Sequence, residues 1–133
     1  MILLDTHIWV WWVDENPNLT AQLHEALQSE GDNLLAVSAI SLWEVAKLVE
    51  KGRLEFALAL SDWFASALEM AGVKLLPLSQ SVAVESASLP GEFHKDPADQ
   101  IIVATARVYD IPVVTFDKKI LNYGYVTTFT SSN

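Results

Sequence analysis

The sequence predicts an α/β fold, a mostly parallel central sheet of about four to five strands with helices on both faces. Three observations carry that prediction. The segments ILL at 2–4, LLAV at 34–37 and IPVVTF at 111–116 are short and almost wholly apolar, as strands buried on both faces are. Longer stretches with apolar residues at helical spacing lie between them. The two types alternate along the chain, the order that lays parallel strands side by side. No repeat, low-complexity tract or linker interrupts the 133 residues. A chain of that length buries roughly two-thirds of its unfolded surface, so one domain over 1–133 is expected.

ILL forms the first strand, and a helix follows over 6–13. A second helix starts after Asn18, with Asn18 or Thr20 as its cap, and runs to about residue 30. LLAV is the second strand. SAISLWEVAKLVEKG is the next helix, with Leu42, Val45, Leu48 and Val49 at helical spacing and Gly52 as its stop. A further helix covers about 57–71 and ends at Gly72. VKLLPL at 73–78 supplies a third strand and SQSVAVESASL at 79–89 a short helix. DPADQIIVATARVYD begins with Asp96 at the cap and Pro97 at the first helical position, a strong helix start. IPVVTF is the fourth strand, a helical turn covers 117–122, and YVTTF at 125–129 is a last short strand.

Composition narrows the chemistry. There is no cysteine, so neither disulfides nor thiolate metal sites arise, which fits a cytoplasmic chain. The apolar opening MILLDTHIWVWWV is shorter than the about twenty residues a bilayer needs, and it lacks the basic flank of a signal peptide. The expectation is therefore a chain free of the membrane. Seventeen acids against eight Lys and Arg give a formal charge of −9. Phosphate binding rests on Lys and Arg, so this balance opposes nucleic acid unless divalent cations or a basic partner offset it.

Most of the acids are unremarkable. Glu25, Glu30, Glu50, Glu69 and Glu85 fall among polar helix positions. Four acids instead adjoin segments that should be buried: Asp5 after ILL, Glu44 between Trp43 and Val45, Asp99 before IIVA, and Asp117 after PVVTF. Asp5 and Asp117 leave the carboxyl ends of central strands, the edge where α/β sheets bind ligands. Each acid alone has a structural reading: Asp5 and Asp96 as helix caps, Asp99 as a first-turn acid, Asp117 as a turn, Glu44 as a partner of Lys47. Together they are expected to converge on one pocket, where mutual repulsion calls for a cation. An all-oxygen set suits Mg²⁺ or Mn²⁺ better than Zn²⁺. Such a site cleaves phosphodiesters by acidifying a water and clamping the phosphate. Thr6 and Thr115 stand near the acids as supports, and Lys95, Lys118 and Lys119 flank the rim as candidate phosphate contacts.

Of the three histidines, His7 is close enough to Asp5 for an outer role; His24 and His94 read as ordinary. Ile8, Trp9, Trp12 and Val13 form a core stripe, with Trp11 directed elsewhere. LEFALALSDWFASALEM at 54–70 has more apolar surface than one stripe requires, which makes it a core helix or a groove for a partner helix.

LLDTH, SLWEVA, HKDPADQIIVATA and VVTFD, in that order, resemble the successive motifs of PIN-domain proteins, and more narrowly those of VapC-type toxins. The similarity runs from Ile2 to about Phe129. It implies a PIN-like fold and a metal-dependent ribonuclease. It also implies a homodimer and a small antitoxin that blocks the site. By position, Asp5, Glu44, Asp99 and Asp117 match the family's acidic quartet, Asp96 an extra acid of one variant, and Thr115 the hydroxyl before the last acid. Gln100 departs from a common Arg, and Leu48 from a common Lys, with Lys47 beside it. Two rival readings remain: a non-catalytic PIN-like module that only binds a partner, and a phosphatase of the haloacid dehalogenase type. The latter needs an acid two residues after its strand-end Asp, where this chain has His7.

Overall fold

The computed structural model describes residues 1–29, 35–69 and 73–129. Within them run β1 (Ile2–Leu4), α1 (Thr6–Val13), α2 (Ala21–Gln28), β2 (Leu35–Ser38), α3 (Ala39–Glu50) and α4 (Leu60–Leu68). β3 (Val73–Leu76), α5 (Gln80–Ser86), α6 (Pro97–Tyr109), β4 (Val113–Val114) and α7 (Lys118–Leu121) follow. The strands form one sheet in the order β3-β2-β1-β4, every pair parallel. β1 lies in register with Leu35–Val37 on one side and Val113–Val114 on the other.

The sheet divides the core by the two-residue period of its side chains. Ile2, Leu4, Leu35, Val37 and Val114 face a cluster with Trp9 and Trp12 of α1, Leu23 and Leu27 of α2, Val45 of α3 and Trp63 of α4. Leu3, Ala36, Leu76 and Val113 face the opposite cluster, with Ile102, Val103 and Ala106 of α6 and Ile120 of α7. Helices therefore cover both faces, which is why the strands read as continuous apolar runs. No helix among the described residues is long and apolar enough to cross a membrane.

Most helices start where a short polar side chain closes the first turn. Thr20 Oγ1 accepts from Leu23 N at 3.2 Å, Ser38 Oγ from Ile40 N at 3.2 Å, and Ser79 Oγ from Val82 N at 3.2 Å. Thr20, not Asn18, caps α2. α4 begins at Leu60, later than the apolar pattern from 57 predicts, because no side chain there can cap; Asp62 in its first turn favours the dipole instead. The expected ends of α2 and α4, the Gly72 stop and Leu34 of the second strand lie outside the described residues. The strand expected at 125–129 is reduced to one parallel bridge, Val113 with Thr128. β4 has only two residues, and Pro112 before it has no N–H to extend a ladder.

Candidate active site

From β1 the chain moves outward to β2 and β3, then returns past β1 to β4. The carboxyl ends of β1 and β4 thus flank the point where the connections reverse direction, a crevice that binds ligands in open α/β sheets. Asp5 follows β1 and caps α1; its Oδ1 accepts from Thr6 N at 2.8 Å and its Oδ2 from Thr115 Oγ1 at 2.6 Å. Thr115 Oγ1 accepts in turn from Asp117 N at 3.0 Å, tying the fourth strand's acid to the first strand's. Asp117 caps α7, accepting from Lys119 N at 2.9 Å.

Glu44 reaches the same place from α3. Its Oε1 accepts from Thr6 Oγ1 at 2.5 Å, and Ser41 Oγ lies 2.7 Å from that hydroxyl. With the Thr6 proton on Glu44, Ser41 must donate to Thr6. Ser41 is fully buried, a support that sequence reading overlooked. Glu44 does not pair with Lys47, whose partner is Glu50 at 3.3 Å. Asp96 caps α6 by accepting from Asp99 N at 3.0 Å. His94 Nε2 lies 2.9 Å from Asp99 Oδ2, an ion-pair distance, although the ring is not aimed for an aligned hydrogen bond. Gln100 Nε2 donates to His94 O at 3.1 Å and steadies that segment.

All five acids line one cavity of about 420 Å³, with His7, Trp11 and Phe116 on its wall. Glu44, Asp96 and Asp99 offer ligand atoms within 4.8 Å of one another, as do His94, Asp99 and Asp117. Asp99 belongs to both groups. Asp5 borders the cavity yet stands outside both. His94, which sequence reading left as ordinary, is the unexpected member; its signal was a position in HKDPAD only five residues before Asp99. Lys95, Lys118 and Lys119 are exposed and do not line the cavity.

Burial pushes the pKa of Asp5 up, outweighing its hydrogen bonds to Thr115 and Thr6. Burial also raises Glu44, against its Thr6 hydrogen bond. Asp99 is pushed up to about 7, first by burial and then by Asp5, Asp96, Asp117 and Glu44. Its unfolded value is 3.8, so between about pH 4 and 7 the folded chain holds the extra proton. Asp99 therefore costs stability progressively as pH rises through that window. Asp99→Asn, which mimics the protonated acid, should melt above the parent at pH 8 in EDTA, and the gap should close toward pH 4. Thermal melts across pH check this, and a gap that is flat with pH refutes it.

A model of the PIN domain matches residues 2–124. Ribonuclease VapC22 of Mycobacterium tuberculosis is 34% identical over 92% of this chain and 91% of its own length. Among solved structures, a toxin–antitoxin complex from Klebsiella pneumoniae has a chain 20% identical, with TM-score 0.68 over 98% of both chains. The DNA-bound VapBC from Salmonella typhimurium is 18% identical, with TM-score 0.72 over 98% of this chain and 97% of that one. These two likenesses concern the fold; the domain model and the VapC22 match settle kinship. The chain belongs to the PIN-domain family and is a homologue of the VapC ribonucleases.

Proposed function

We propose that this chain is a metal-dependent endoribonuclease, the toxin of a toxin–antitoxin pair, which hydrolyses RNA phosphodiester bonds. The observation that carries the proposal is the convergence of five carboxylates on one cavity at the sheet's switch point. Acids packed this closely, three of them with raised pKa, ask for a divalent cation, and the two overlapping ligand groups fit one. The oxygen-rich donor set suits Mg²⁺ or Mn²⁺. When bound, such an ion neutralises charge on the scissile phosphate and acidifies a water beside it.

Asp5, Asp99 and Asp117 would hold the cation, directly or through water, and Glu44 would complete the set or orient the attacking water. Asp96 stands in support through Asp99. Thr115 and Thr6 fix the rotamers of Asp5 and Glu44, so those carboxylates need no reordering when substrate arrives. His94 sets its imidazole beside Asp99, Nε2 lying 2.9 Å from Oδ2.

The partners follow from charge and kinship. An acidic cavity in a chain of net charge −9 accommodates the Arg or Lys of a basic antitoxin segment. The Klebsiella structure of the same fold is a toxin–antitoxin complex, and a homodimer in the cytoplasm completes the proposal. The deciding experiment incubates the purified chain with a panel of single-stranded and stem-loop RNAs. Cleavage with Mg²⁺ or Mn²⁺ that stops in EDTA is expected. RNA left intact with every metal would make the chain a non-catalytic binding module.

A further inference from the structure

We infer that His94 is itself a metal ligand: with Asp99 and Asp117 it forms a nitrogen-containing position that takes a transition-metal ion in preference to Mg²⁺. The inference rests on the metal-dependent reading above and adds a ligand that the four acids do not supply. One oxygen of Asp99, one of Asp117 and a ring nitrogen of His94 lie within 4.8 Å of one another. Glu44, Asp96 and Asp99 form the neighbouring all-oxygen group, so Asp99 is common to both.

Two observations single out the imidazole. Its Nε2 is closed off from water and has no hydrogen-bond partner among the described residues. A buried ring nitrogen left in that state is costly unless something else engages it. Nε2 also lies only 2.9 Å from Asp99 Oδ2, yet the ring is not aimed at that oxygen. Two donors to one ion, each about 2.1 Å from it and at right angles, stand roughly 3 Å apart without pointing at each other. His94 and Asp99 have that spacing. Asp117 is a third donor: its Oδ1 accepts from Lys119 N at 2.9 Å, which leaves Oδ2 for an ion. The segment around His94 is anchored on both sides. Phe93 packs against the core cluster below α6, its ring 4.8 Å from that of Tyr123. Gln100 Nε2 donates to the His94 carbonyl at 3.1 Å. Outer contacts of this kind fix the orientation of a ligating histidine. A nitrogen donor also changes which ion is preferred, because Mg²⁺ keeps oxygen ligands whereas imidazole favours transition metals.

The test is electron spin-echo spectroscopy of the full chain loaded with Mn²⁺, beside calorimetric titrations with Mn²⁺ and with Mg²⁺. Modulation from a directly bound nitrogen is expected in the parent and should vanish in His94→Gln. It should persist in His7→Gln, since His7 lines the cavity but stands outside both ligand groups. His94→Gln should weaken Mn²⁺ binding at least about tenfold, because even outer contacts of a ligand are worth that much. Mg²⁺ binding should change far less. A His94→Gln chain that binds Mn²⁺ as tightly as the parent, or more tightly, makes His94 a cation paired with Asp99 and overturns the ligand. Equal losses for the two ions overturn it as well, as the mark of a merely structural histidine. So does a parent whose bound Mn²⁺ shows oxygen alone, although that result leaves the ribonuclease reading standing. A parent that binds neither ion removes the ribonuclease reading itself.

Discussion

Asp5→Asn is expected to lower RNA cleavage by about a thousandfold or more while the chain stays folded. The rate loss follows from removing one charge from the proposed cation site: metal assistance is worth several kcal/mol, and each ~1.4 kcal/mol is tenfold. The fold survives because Asn caps helices as well as Asp does, and its amide oxygen can still accept from Thr6 N, now 2.8 Å from Oδ1. The Thr115 hydroxyl, 2.6 Å from Oδ2, need only rotate to accept from the new NH₂. Asp5→Ala behaves differently: it loses the cap as well, about 1 kcal/mol. Single-turnover cleavage beside thermal melts separates the two effects. An Asp5→Asn chain that cleaves at the parental rate would show that this carboxylate takes no part.

The largest stability effect should come from Trp9→Ala. Trp9 is fully buried, edge-on to Trp63 with centroids 5.1 Å apart and parallel to Phe64 at 6.4 Å, while Trp63 stacks on Phe56 at 4.2 Å. Truncation empties the middle of this cluster and should cost about 3–5 kcal/mol. At roughly 3–5 °C per kcal/mol for a chain of this length, melting should fall by about 10–20 °C. Trp9→Phe should lose much less. It keeps a ring in place and removes an indole N–H that is buried with no hydrogen-bond partner among the described residues. Equal losses for the two variants would place the cluster's stabilising contacts elsewhere.

The acids at strand ends were legible because burial makes a carboxylate conspicuous beside ILL or PVVTF. Alternation of strand and helix likewise sufficed for the parallel sheet. What escaped reading depends on distances along no single element. His94 meets Asp117 only because α6 passes beneath the sheet before β4 returns beside β1. Ser41 supports Glu44 through Thr6, a residue 35 positions away. The start of α4 was misplaced because apolar spacing reports a face, not an end, and no cap marks the true start.

Three of the acids, Asp5, Asp96 and Asp117, each close the first turn of a helix with the same carboxylate they turn toward the cavity. Asparagine does the first job equally well and the second not at all. One nucleotide change per codon is enough for that exchange. A lineage built this way can disarm in a single mutational step and keep its shape, so harmless copies that still occupy the inhibitor are always within evolutionary reach.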